Sequence, residues 1–136
     1  MSYQKPDQNT INEILKTKTR IAVVGLSDRP ERTSYQVSQY MQKNGYEIIP
    51  VNPTVSEVLG AKAYKSLKDI PGDIDIVNVF RRSEYLPEVA KETKEVGADV
   101  FWAQLGLEND EAAEILQNTN TTVVMDRCIK VEHASI

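Results

Sequence analysis

The chain has 136 residues, 40% apolar and 26% charged, which fits one folded domain with a single sizeable core. Its formal net charge of −4 excludes the broad basic face that nucleic-acid binding requires, yet leaves room for a local anion site. One cysteine, Cys128, and one histidine, His133, exclude an internal disulfide and a Cys/His metal cluster.

Residues 1–6 read as a loose end. They carry no apolar core of signal-peptide type, and no apolar run approaches the roughly 20 residues of a membrane span. With a lone cysteine, this points to the cytoplasm. "TINEILKTKTR" (10–20) is a short helix, with Thr10 and Glu13 at capping-box spacing and Ile11, Ile14 and Leu15 on one face. "IAVVG" (21–25) is a continuous apolar run, as expected of a strand buried on both faces. Residues 34–44 are helical, with Ser34 as N-cap, Val37 and Met41 inward, and Asn44 and Gly45 as the stop. "YEIIPVN" (46–52) is a second strand, bounded by Pro53, and "SLKDI" (66–70) a helical turn before Pro71. "DIVNVF" (75–80) is a third strand, and residues 83–96 are a helix ending at Gly97. "DVFWAQ" (99–104) is a fourth strand, with Phe101 and Trp102 on opposite faces. "NDEAAEILQN" (109–118) is a helix capped by Asn109 or Asp110, and "TTVVMD" (121–126) a fifth strand. Residues 132–136 read as a second loose end.

This alternation implies an α/β, Rossmann-like, doubly wound parallel sheet of five strands with helices on both faces. The expected strand order is 3-2-1-4-5. Ligands of such sheets sit outside the carboxyl ends of the strands, at the switch point beside strand 1.

The segments after the strands share a chemistry. Of six arginines, five (Arg29, Arg32, Arg81, Arg82 and Arg127) lie there, whereas the ten lysines are scattered mainly over helices, connections and ends. The guanidinium fork suits phosphate, so the distribution points to an anionic ligand. An NAD site would need Gly-x-Gly-x-x-Gly after strand 1 and an acid at the end of strand 2. The chain reads "GLSDRPERTS" and Val51, Asn52, Pro53 instead. A Walker loop fails too, since no Gly-Lys-Ser/Thr follows strand 1. What remains is a helix N-terminus at Thr33 and Ser34, which favours phosphate, and Gly25, which permits close backbone approach. An adenine would lie over Asn52 and Pro53. With no acid there, a ribose that itself carries a phosphate would not be repelled.

"VVGLSDRPERTSYQVSQYMQKNGYEIIPVNP", "LGAKAYKSLKDIP", "DIVNVFRRSE", "VFWAQLGLENDEAAE" and "VVMDRC" together resemble the small stand-alone CoA-binding proteins, which are similar to the N-terminal CoA-binding domain of the succinyl-CoA synthetase α subunit. The resemblance covers about residues 10–131. It implies coenzyme A at the strand ends, with Gly25, Ser27 and residues 29–34 (Arg29, Arg32, Thr33 and Ser34 among them) around the pyrophosphate. By the same resemblance Val51, Asn52 and Pro53 border the adenosine, and Val79, Phe80 and Arg81 line the side next to strand 3. Residues 102–106, Gln104 among them, lie towards the pantetheine arm. For the ribose 3′-phosphate, Arg32, Arg81 and Lys62 stay open. The ligases use a phosphorylated histidine on a following domain and an ATP-grasp partner. Here the only histidine lies in the tail, so the resemblance implies binding and does not carry over ligase activity.

The remaining chemical residues have plain structural readings. Cys128 beside Arg127 is either a reactive thiol or a packing residue, with packing favoured. Trp102 either stacks on a ligand or fills the sheet core. One of Arg81 and Arg82 points inward while the other pairs locally with Glu84 or Glu88. His133 in the tail is poorly placed for catalysis, and Asp126 reads as a loop partner. The expectation is a protein that binds CoA or an acyl-CoA, without metal, nucleic acid, membrane or catalysis of its own. A CoA-thioester transferase or reductase using Cys128, or a regulatory subunit of a partner enzyme, is the alternative. A homodimer or a partner subunit is left open.

Overall fold

The computed structural model describes residues 3–136. In chain order the elements are α1 (Gln8–Thr17), β1 (Arg20–Val24), α2 (Thr33–Lys43), β2 (Glu47–Val51), β3 (Glu57–Val58), β4 (Ala61–Lys62), β5 (Ile76–Val79), α3 (Leu86–Val96), β6 (Val100–Ala103), α4 (Asp110–Ile115), β7 (Thr122–Val124) and α5 (Ile129–Ala134). β3 and β4 form a small antiparallel hairpin, and the other five strands make one parallel sheet. Every residue of β5 and β6 is buried, Asn78 included, which is why these strands are otherwise apolar.

Alternate side chains feed two cores. Ile21, Val23, Ile76 and Trp102 pack with α1, α2 and α5 on one face. Ala22, Val24, Val77, Val79 and Phe101 pack with α3 and α4 on the other. Phe101 and Trp102 thus take opposite faces, both fully buried.

The α/β class and the Rossmann-like sheet are as expected, but the strand order is not. The sheet runs β2-β1-β5-β6-β7. Counted along the five long strands this is 2-1-3-4-5, rather than 3-2-1-4-5. Two contacts explain it. Pro50 lies inside β2, and its carbonyl faces away from β1, where it accepts from the Tyr64 amide at 2.9 Å. A proline has no N–H to give a strand on that side, so β2 belongs at an edge. Asp75, at the entry to β5, accepts from the backbone amides of Thr19 (2.9 Å) and Arg20 (2.8 Å), which docks β5 against β1. The Val51–Tyr64 bridge then covers part of the open edge of β2.

Several local expectations shift. The N-cap of α1 is Asp7, which accepts from the Thr10 amide at 2.9 Å, so Thr10 is capped rather than capping. That bond holds the Asp7 carboxyl below its ordinary pKa. α2 begins at Thr33, and the Ser34 hydroxyl accepts from the Ser27 amide at 3.1 Å instead of capping the helix. Asn109 caps α4 as expected, accepting from Ala112. Residues 132–134 are not a loose end. They belong to α5, where His133 Nδ1 lies 2.8 Å from the Tyr40 hydroxyl and the ring stands edge-on to Tyr40 and Tyr46. Of the N-terminal loose end, residues 1 and 2 lie outside the described residues. Tyr3 is tied down, its hydroxyl accepting from the Met125 amide at 2.9 Å. No helix among the described residues is long and apolar enough to cross a membrane.

Candidate functional site

α2 leaves β1 on one face and α3 leaves β5 on the other, so the chain parts at the β1–β5 boundary and opens a crevice there. Two clefts meet at its mouth, sharing Gly25 and Asn52. The first, of about 670 Å³, is lined by Ser27, Asp28, Arg29, Arg32, Thr33 and Ser34 from the β1–α2 segment, with Thr54, Val55 and Phe80 opposite. The second, of about 500 Å³, lies on the α3 face and is lined by Val51, Pro53, Lys65, Ser66, Arg81, Glu88 and Glu92.

Gly25 is required by its neighbours. Its φ is +87°, and a Cβ would lie 2.7 Å from the Phe80 carbonyl oxygen and 3.3 Å from Arg81 Cγ. The close approach that Gly25 makes is to the backbone at the β5 end. Asn52 is committed to structure as well. Its amide donates to the Leu26 carbonyl at 2.9 Å and its oxygen accepts from the Thr54 amide and hydroxyl. It clips the loops after β1 and β2 together, which fixes the wall between the clefts.

The first three amides of α2, those of Thr33, Ser34 and Tyr35, have no intrahelical acceptor and sit at the positive end of the helix. Arg29 and Arg32 border the same cleft. None of the ion pairs among the described residues involves Arg29, Arg32 or Arg81. Arg81 lies with its guanidinium carbon 4.5 Å from the Tyr85 ring centroid, which orients its fork without neutralising it. Arg82 instead pairs with Glu84 (4.0 Å) and Arg127 with Glu132 (3.3 Å), so only three of the five post-strand arginines converge.

Of the residues expected at the site, Gly25, Ser27, Arg29, Arg32, Thr33, Ser34, Val51, Asn52, Pro53, Phe80 and Arg81 line these clefts. Val79 is fully buried beneath them. Gln104 is absent from both linings, for the reason that reordered the sheet: β5, not β6, neighbours β1. Gln104 is buried, with its amide donating to Asn78 Oδ1 and its oxygen accepting from the Ile129 amide at 3.4 Å. Trp102 is core, its indole donating to the Arg127 carbonyl at 2.8 Å. Lys62 lies over the Tyr64 ring and outside both clefts. Thr54, Val55, Lys65, Glu88 and Glu92 were not anticipated. Lys65 arrives because the Tyr64 bridge carries the β2–β5 connection past the strand ends, and Pro50 was the only local sign of that path.

The chain matches the family model of the CoA binding domain over residues 19–134. It is 63% identical to "Uncharacterized protein YneT" of Bacillus subtilis (strain 168), over 96% of this chain and 97% of that one. It is 29% identical to the "Acetate--CoA ligase [ADP-forming] II subunit alpha" of Pyrococcus furiosus, over 85% of this chain but only 28% of the ligase subunit. Among solved structures, a "hypothetical protein from Pyrococcus horikoshii OT3" superposes with a TM-score of 0.92 at 35% identity, covering 99% of this chain and 98% of that one.

Proposed function

This chain belongs to the CoA-binding domain family, and from that premise we propose that it binds coenzyme A or an acyl-CoA in the crevice at the β1–β5 boundary, without chemistry of its own. The carrying observation is the set of unpaired arginines: Arg29 and Arg32 stand at the free amides of α2, and Arg81 stands across Gly25. The pyrophosphate meets the first cleft, where helix amides and two guanidinium groups offer donors. The adenosine lies at the junction with the second cleft, beside Pro53. There Arg81 and Lys65 face the ribose 3′-phosphate, and Glu88 and Glu92 limit how deep that charge can go.

Likeness to a ligase subunit favours a second reading, a binding subunit for a partner enzyme, and co-purification of a second chain would select it.

Calorimetric titration with CoA, dephospho-CoA, NAD and ATP tests the first reading. CoA should bind most tightly, with dephospho-CoA weaker by roughly tenfold or more, the scale of a hydrogen bond to a charged group. Arg81→Ala or Lys65→Ala should shrink that gap. NAD binding more tightly than CoA overturns the reading.

A further inference from the structure

A third recess lies at the same end of the sheet, two to three strands beyond β1. It holds about 230 Å³ between the loops that follow β6 and β7, with Leu105, Met125, Cys128 and Val131 as apolar walls. Leu105 is 70% and Val131 58% exposed. Either alone would mean little. Here both border one recess beside the buried Met125.

The walls are built rather than incidental. Asp126 adopts φ +61°, and its carboxylate accepts from the Gly106 amide at 2.7 Å while its own amide donates to the Leu107 carbonyl at 3.1 Å. A non-glycine residue in that conformation persists only where its surroundings hold it. The Trp102 indole holds the Arg127 carbonyl, and Gln104 holds the first amide of α5. The buried polar groups of the β6 end thus brace this recess instead of touching the crevice.

Position links the recess to the phosphate cleft. α5 packs against α2 on the same face of the sheet, and both helices begin at strand ends. At about 4.8 Å between strands, the recess lies roughly 10–14 Å across the sheet from β1. The pantetheine arm runs about twelve bonds from its phosphate oxygen to its sulfur, the length of about four peptide units, and at ~3.4 Å each it reaches ~14 Å and covers that span.

We infer that this recess receives the acyl group of a short-chain CoA thioester, an inference that rests on the proposed CoA binding. At roughly 30 Å³ per water-sized group, a four-carbon acyl group takes up about 120 Å³ and leaves room for the thioester. A longer tail emerges past Leu105 and Val131 into solvent. The acyl group is neutral, because the charges bordering the recess balance: Arg127 is met by Glu132, and Lys5 and Asp126 add one charge of each sign.

The test is calorimetric titration of the full chain with CoA, acetyl-CoA, butyryl-CoA and octanoyl-CoA. Affinity should rise about threefold per methylene as far as butyryl, the scale of a largely buried methylene, and then level off. Leu105→Ser and Val131→Ser, both at exposed positions, should bring the ratio of CoA to butyryl-CoA dissociation constants close to one. If CoA binds and acyl length makes no difference, the inference falls while CoA binding stands. If no member of the series binds, both fall. Sedimentation velocity gives the remaining outcome: a dimer that dissociates on Leu105→Ser while the acyl preference persists makes the patch a contact between copies, and that also overturns the inference.

Discussion

Gly25 is the residue on which the crevice turns. It combines a left-handed φ with a 2.7 Å approach to a backbone oxygen, so neither side-chain repacking nor a rotamer change can admit a methyl group. Gly25→Ala should destabilise the fold by about 2 kcal/mol, the scale of left-handed strain plus a backbone shift, and should weaken CoA binding by moving the β1 loop. Urea unfolding and calorimetry check both. The arginines divide at the same scale. Among the described residues, Arg82 and Arg127 make ion pairs with carboxylates, while Arg29, Arg32 and Arg81 make none, a partition that composition could not reveal. Gln104 shows the reverse case, a polar residue at a strand end whose two amide ends are consumed by Asn78 and Ile129.

Among elements, the junction of β1 and β5 is held at its far end by Asp75. Burial acts to raise this carboxyl, but the amides of Arg20 and Thr19, with the Lys18 charge nearby, outweigh it and hold the pKa below 3.8. A folded pKa below the unfolded one means that the native state binds fewer protons. The stabilisation is therefore present above about pH 4 and is lost as pH falls through the folded value. Asp75→Ala should flatten the dependence of stability on pH between about 5 and 3 and cost about 1 kcal/mol at neutral pH, the scale of partly exposed hydrogen bonds. Denaturant titrations at a series of pH values measure this. At the other end of the chain, α5 is secured by Ile129 in the core and by the His133–Tyr40 contact, although its six residues would be marginal alone.

For the whole molecule, a net charge of −4 opposes a polyanionic ligand at long range, while three unpaired arginines attract it at short range. Screening shortens from ~10 Å at 0.1 M salt to ~3 Å at 1 M. CoA affinity should fall roughly tenfold over that interval, and Arg29→Ala with Arg32→Ala should flatten the decline, as calorimetry at several salt concentrations would register. The amino-acid sequence by itself determined the alternation of strands and helices, the two-faced core and the cationic loop after β1. Each of these is written in neighbouring residues: apolar runs, helical spacing, a glycine, a cluster of arginines. Only the tertiary structure decided which strand stands beside β1, and with it that Gln104 braces the β6–β7 end and that Lys65 arrives from a connection. The physical reason is that a buried strand's apolar pattern satisfies several sheet orders equally. The choice among them rests on contacts between distant segments, here the Asp75 carboxylate on the Thr19 and Arg20 amides and the outward carbonyl of Pro50.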